Sequence, residues 1–383
     1  MFTGPFLLLI LNGSWRPNKW NSKVLIRLYD FYTIIAYTIF YTFVATLVIG
    51  VIVAENSQLA IELMIQLLNE INVSWKNFTF KLKRKKVIRF MNLFFDGLTL
   101  PQTPQEENIQ QKFDSESRNN TWKLGVIYSI SVITYVYMPF FISDIENRVL
   151  VTDSWLPYSL DNVNYYYGTY LHQAVAVTIA ALGNGATEVL VSGFMIQICA
   201  QFEILEERFR QLPQTLNKMK ENHESESIIL SAEKILMIRL IKHHLRIFEM
   251  AKTLNDIYVF VIFFQFVSSI FVLCVCTYTL AVLKTVNSAF ITVLLFLSCM
   301  LLQIFLYTWY GNEITLRSVD LGSNILLCDW RSLSCRGIKD LMFIYERTKK
   351  PILLSSGYVI TLSNVAFTSI VKTSYSVFNV LSA

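Results

Sequence analysis

The lysine and arginine side chains of this chain are confined to alternate polar stretches between its hydrophobic segments. Of the 33 lysines and arginines, 30 lie in four such stretches, and the polar stretches between them hold only Arg148 and Lys284. The remaining one, Lys372, is inside the last hydrophobic segment, and Lys76, counted with the second basic stretch, also falls within the second hydrophobic segment (59–80). Basic residues resist translocation, so loops rich in them stay in the cytoplasm. The pattern therefore predicts repeated membrane crossings with a cytoplasmic N-terminus.

Composition excludes a water-soluble globule. Of the 383 residues, 54% are hydrophobic and 16% charged, and the mean hydropathy is +0.44. Too little polar material remains to cover a soluble protein of this size, which indicates an integral membrane protein. The net charge of +5 lies on one predicted face, where the anionic lipids of the inner leaflet account for it, so no nucleic-acid partner is expected.

Seven segments are long and apolar enough, or nearly so, to cross a bilayer as helices of about 20 residues. They are residues 31–54, 59–80, 124–142, 174–200, 257–283, 289–310 and 352–381. An odd number of crossings places the C-terminus outside. The second segment carries Glu62, Asn69, Glu70 and Asn72, which would be costly against lipid and are expected to face protein or a cavity.

One of the predicted cytoplasmic stretches has the pattern of a helix and another that of a loop. A stripe of apolar residues at helical spacing predicts a helix that continues into the fifth span; it comprises Met237, Ile241, Leu245, Phe248, Ala251 and Leu254. Residues 97–120 are rich in polar side chains, and we expect a mobile cytoplasmic loop there.

No catalytic motif is present in the sequence. There is no glycine-rich phosphate loop, no GxSxG elbow and no HExxH pair. Of the four histidines, His243 and His244 are adjacent, so on a helix they diverge by about 100° and do not form a metal pair. We expect neither enzymatic activity nor a metal or cofactor.

The last span carries one narrow face of small or weakly polar side chains: Ser369, Thr373, Ser376, Val380 and Ala383. Two interpretations remain open. Small and hydroxyl residues allow helices to pack closely in lipid. Alternatively, the face lines a water-filled pore between subunits, in which Val380 is a dewetting constriction below which Ser376 and Thr373 follow.

A ligand pocket is expected where the outer halves of the spans combine aromatic with small polar groups. Aromatic side chains at membrane depth serve packing more often than ligand binding, so these residues are candidates only. They are Asn72, Val73, Ser131, Tyr135, Met138, Tyr167, His172 and Val175.

Three stretches resemble the insect odorant receptors. The ending VKTSYSVFNVL is similar to the C-terminal signature of that family, and YTWYGNEITLRSVDLGSNILLCDW is similar to the stretch leaving its sixth span. The run HHLRIFEMAKTLNDIYVFVIFFQFVSSIFVLC is similar to the helix entering the fifth span. Together they cover about the C-terminal 40% of the chain.

The resemblance implies an odorant-gated, non-selective cation channel: an all-α membrane protein whose last helices line the central pore of a tetramer. Val380 then falls at the hydrophobic constriction. The chain lacks the long cytoplasmic insertion of the shared co-receptor, so it is similar to an odorant-tuned subunit that assembles with that co-receptor in the plasma membrane of sensory neurons. The implied partners are a volatile apolar odorant, the co-receptor and membrane lipid.

The implied organisation has six parts. They are a cytoplasmic N-terminal segment with a membrane-associated helix (1–30), four spans with an outer ligand pocket (31–200), a cytoplasmic helical region (201–256), spans five and six (257–310), a cytoplasmic anchor segment (311–351) and the pore-lining helix (352–383).

Two other receptor classes fit the sequence less well. A G-protein-coupled receptor places its N-terminus outside and carries DRY after span three, where this chain has FISDIENR. A gustatory receptor channel shares the topology, but the ending TSYSVF departs from the pattern of that family.

Overall fold

The structure, a computed structural model, describes residues 3–17, 20, 22–137, 149–282 and 288–382. Within these residues the fold is almost entirely α-helical. The helices are α1 (Thr3–Leu11), α2 (Lys23–Val53), α3 (Ser57–Leu93), α4 (Pro104–Val132), α5 (Val163–Glu221), α6 (Glu226–Val282), α7 (Ser288–Leu326), α8 (Cys335–Thr348) and α9 (Asn364–Ser382). A π-helical turn, Ile133–Tyr137, extends α4, and a 3₁₀ turn, Trp330–Ser332, precedes α8.

Helix α5 lies at the centre of the bundle. It packs against α1, α2, α3, α4, α6 and α7. Every residue from 183 to 202 is buried, so this part of the helix has no face left for lipid or water. A helix that is surrounded on all sides must be apolar or internally paired all round, and this one is mostly apolar.

Four of the described helices are long and apolar enough to cross a membrane: α2, α5, α6 and α7. They contain the first, fourth, fifth and sixth predicted spans. The second, third and seventh predicted spans fall in α3, α4 and α9, which do not meet both criteria over the residues described. A multi-pass helical membrane protein is therefore supported, and the count of seven crossings stays a prediction.

The prediction of a mobile loop over residues 97–120 was wrong, because α4 begins at Pro104. The Thr103 hydroxyl accepts a hydrogen bond from the Glu106 backbone N–H at 3.3 Å, and proline occupies the first turn. Both features favour a helix start. Phe113 and Leu124 are buried together with Glu106, Gln110 and Ser117, so this polar helix is fixed to the bundle by one face of mixed character.

The last predicted helix also begins later than residue 352. Residues Ser355–Ser356 (β1) pair antiparallel with Ile360–Thr361 (β2), and α9 starts only at Asn364. Gly357 forms the turn with a φ of +60°, a conformation that glycine adopts without strain. Its backbone N–H donates to the Val259 carbonyl of α6 at 3.0 Å, which fixes the hairpin to that helix.

Helix α6 runs unbroken from the predicted cytoplasmic region into the fifth predicted span, as the apolar stripe predicted. The stripe itself is only partly buried, however. Met237, Ala251 and Leu254 are buried, whereas Leu245 is 59% exposed. Leu240 and Ile247, which are not part of the stripe, are buried as well. The neighbouring helices therefore cover a face of α6 that is rotated slightly from the predicted stripe.

Candidate functional site

The ligand candidates of the sequence analysis lie in separate environments. Val73 and Val175 come together in one small apolar cluster between α2, α3 and α5, where Phe40 and Ile179 also pack. Both side chains contribute to packing there. The cluster joins three helices in the predicted outer part of the bundle.

Tyr135 lies in a second, larger apolar cluster. Its hydroxyl is 2.9 Å from the Thr152 hydroxyl, and the cluster also contains Leu67 and Val136. The cluster joins α2, α3, the end of α4, the segment before α5, and α5 itself. Tyr135 is thus an apolar ring with one polar end held in place, which is the character that a small-molecule site requires.

The other candidates point elsewhere. Ser131 is 3.2 Å from the Cys299 thiol of α7, and the His172 ring is 2.8 Å from the Thr42 hydroxyl of α2. Asn72 turns toward α6 and donates to the Ser268 hydroxyl at 2.5 Å. Tyr167 is 42% exposed. Met138 lies outside the described residues.

A buried ion pair at the centre of the bundle was missed by the sequence analysis. Lys76 of α3 and Glu188 of α5 are both fully buried, with 2.5 Å between the ammonium nitrogen and a carboxylate oxygen. The same ammonium donates to the Asn184 and Gln265 side-chain oxygens. Lys76 was counted with the basic residues predicted to be cytoplasmic, and this concealed its role. Glu188 was the available signal, because an ionisable residue inside a span usually has a buried partner.

The ion pair extends into a polar network that reaches five helices. Gln265 of α6 donates to the Gln303 side-chain oxygen of α7 at 2.7 Å, and Gln303 donates in turn to the Tyr128 hydroxyl of α4. Because α3, α4, α5, α6 and α7 all contribute, any displacement of one helix must break or rearrange bonds made by the others.

A second buried carboxyl, that of Glu70, has no cationic partner among the described residues. Its side chain is fully buried on α3, and one oxygen accepts from the Gln66 amide at 2.7 Å. The other oxygen, Oε2, has no hydrogen-bond partner among the described residues. Glu70 and Lys76 both lie on α3, but Lys76 forms an ion pair with Glu188, whereas Glu70 forms no ion pair among the described residues.

Helix α9 presents two distinct faces. Ala366, Ile370 and Ser374 are buried where it packs against α6 and α7. Thr373 and Ser376, from the small-residue face, are exposed. The side chain of Val380, and Ala383, lie outside what the structure describes, so the position of the constriction stays a prediction.

The basic run 81–86 ends the predicted second span. Lys83 donates to the backbone carbonyls of Asp256 and Ile257, at 2.8 Å each. Burial and the neighbouring positive charge of Lys86 lower the pKa of Lys83, while Asp256 opposes the change. This lysine therefore links α3 to the entry of the fifth predicted span.

The sequence profile of the 7tm odorant receptor family matches residues 56–375, most of the chain. The chain belongs to this odorant receptor family. Odorant receptor 46a, isoform A, of Drosophila melanogaster is 24% identical over 266 residues, which is 66% of this chain and 64% of that receptor. Odorant receptor 94a of the same species is 26% identical over 226 residues, covering 58% of this chain and 55% of its own length. The chain thus matches under two thirds of the length of these odorant receptors.

The fold is that of an insect olfactory receptor. The structure of OR5 from Machilis hrabei in complex with eugenol superposes with a TM-score of 0.83 at 15% identity, covering 98% of this chain and 96% of that one. A second structure of the same receptor gives a TM-score of 0.84 at 14% identity. Odorant receptors are receptors and not enzymes, so the expectation that this chain is not an enzyme is confirmed.

Proposed function

We propose that this odorant receptor chain is the odorant-tuned subunit of a ligand-gated, non-selective cation channel in the plasma membrane of sensory neurons. The observation that carries the channel proposal is the two-faced character of α9. One face is buried against α6 and α7, while Thr373 and Ser376 remain exposed on other sides of the helix. Hydroxyl groups left open on such a helix suit a water-filled pore between subunits.

The pore requires several copies of α9 around one axis. We propose a tetramer with the family's co-receptor, in which Val380 forms the apolar constriction and Ser376 and Thr373 follow on the cytoplasmic side. The regions 201–256 and 311–351 then form the cytoplasmic anchor between subunits. The chain traverses the membrane seven times, with its N-terminus inside and its C-terminus outside.

The ligand is a volatile, largely apolar molecule that binds in the outer half of the bundle. Eugenol in the OR5 complex is a ligand of that kind. In the present chain, the apolar cluster around Tyr135 joins several helices, and it supports a ligand site in that part of the bundle. A ligand that favours one arrangement of these helices shifts the population toward the open channel by as much as its affinities for the two states differ.

Whole-cell recording tests the function. Cells expressing this chain with the co-receptor are exposed to a panel of volatiles while G-protein signalling is blocked. We expect cation currents within milliseconds for at least one volatile, and none in cells that express the co-receptor alone. Currents that vanish under the G-protein block would overturn the channel proposal.

A further inference from the structure

Glu70 is a buried carboxyl that no protein cation neutralises. Among the described residues it takes part in no ion pair, and its Oε2 accepts no hydrogen bond. Leaving an ionised carboxylate unpaired in an apolar interior costs several kcal/mol. Lys76, on the same helix, shows the opposite arrangement, since its charge is matched by Glu188 at 2.5 Å.

The surroundings of Glu70 are apolar. Leu67, one turn before it on α3, packs in the cluster that contains Tyr135. Tyr135 lies within electrostatic reach of the Glu70 carboxyl. A buried acceptor oxygen without a partner and an apolar wall beside it form a site that lacks only a cation with hydrogen-bond donors.

We propose that Glu70 makes this receptor selective for volatile amines, binding the ammonium group through Oε2 while the alkyl part lies against the Leu67 and Tyr135 cluster. The inference rests on the proposed function and names its ligand class. An alkylamine has a pKa near 10, like that of lysine, so it is a strong enough base to carry a proton beside a carboxylate.

Proton balance does not limit this step. A neutral amine that crosses the apolar region accepts the carboxyl proton of Glu70, giving an ammonium–carboxylate pair with no net change of charge. An amine that arrives already protonated pairs directly with the ionised carboxylate. Charge-assisted hydrogen bonds of this type are about twice as strong as neutral ones.

The test compares an alkylamine with the alcohol and the alkane of equal chain length, on the wild-type chain with its co-receptor. The variants are Glu70→Gln, which resembles the protonated carboxyl in shape but cannot give up a proton, and Glu62→Gln, a control at an exposed acidic residue of the same helix. We expect the wild type to respond to the amine at a lower half-maximal concentration than to the alcohol. In Glu70→Gln the amine value should rise about tenfold or more, and the alcohol value should stay within about twofold.

Three results would overturn the amine assignment while leaving the proposed function intact. They are a wild type activated by neutral volatiles but not preferentially by amines, equal amine responses in wild type and Glu70→Gln, and an equal loss in Glu62→Gln. Surface labelling normalises each response. If Glu70→Gln does not reach the surface, the wild-type amine-against-alcohol comparison decides alone. Failure of every volatile to evoke current contradicts the proposed function instead.

Discussion

At the scale of single residues, the Lys76–Glu188 pair determines how the centre of the bundle holds together. Both side chains are fully buried, so the Lys76 ammonium has exchanged water for the Glu188 carboxylate and the Asn184 and Gln265 side-chain oxygens. Such a pair adds little net stability compared with an apolar pair of the same size. Removing one partner is different, because it leaves the other charge buried and uncompensated.

The first prediction follows from this asymmetry. Glu188→Gln should lower the free energy of unfolding by about 3–5 kcal/mol. Thermal unfolding of the purified chain in detergent, followed by tryptophan fluorescence, measures the change. The control is Lys112→Gln, which breaks a pair with Glu203 whose lysine is 62% exposed; it should cost no more than about 1 kcal/mol. Equal shifts in both variants would contradict the central role of the buried pair.

At the scale of elements, the structure shows where local sequence signals were sufficient. The spans in α2, α5, α6 and α7 follow from hydropathy, because a helix that crosses hydrocarbon must be apolar over its length. The start of α4 was also present in the sequence, as the Thr103-Pro104 pair followed by Glu106, but its polar composition concealed it. At this position the capping residues indicate the start of a helix, whereas the polar composition suggested a loop.

The hairpin before α9 gives the second prediction, at Gly357. A side chain there must adopt a φ of +60°, and its Cβ would lie 2.5 Å from the Phe263 ring. Gly357→Ala should therefore destabilise the chain by about 1–3 kcal/mol, measured as a lower thermal midpoint. Gly97→Ala is the matched control, since nothing lies within 4 Å of its added Cβ. An unchanged thermal midpoint in Gly357→Ala would show that the hairpin can move away from α6 without loss of stability.

Helix α9 gives the third prediction, at its proposed constriction. Val380→Ser should change the basal current or the ion permeation while leaving the order of ligand preference intact, because a polar side chain removes the dewetting barrier. Val377→Thr tests a residue off the small-residue face and should keep the wild-type current. Recordings with the co-receptor measure both. Unchanged currents in Val380→Ser would count against the gate assignment.

At the scale of the whole molecule, charge and hydropathy predicted the class, and the resemblance predicted the family. The site was much less predictable. Val73 and Val175 do meet, but Asn72 faces α6 and Ser131 faces α7, since helix rotation depends on partners distant in the sequence. Lys76 was assigned to a cytoplasmic stretch because one-dimensional counting cannot show that Glu188 lies opposite it.

The fourth prediction concerns topology. An epitope tag at the N-terminus should be labelled only after permeabilisation of the cells, and a tag at the C-terminus should be labelled on intact cells. Flow cytometry of cells that express each tagged protein measures how much of the tag is accessible from outside. Labelling of the N-terminal tag on intact cells would contradict the predicted orientation and favour a G-protein-coupled type of receptor.

The two longest helices have one mechanical consequence. Helix α5 has 59 residues and α6 has 57, each about 85–90 Å long and therefore roughly three times the thickness of the hydrocarbon layer. Each acts as a lever arm, so a tilt of about five degrees at membrane depth displaces the tip by about 4 Å. On the proposed function, a bound odorant therefore needs to rotate these helices only slightly to move their far ends by several ångströms.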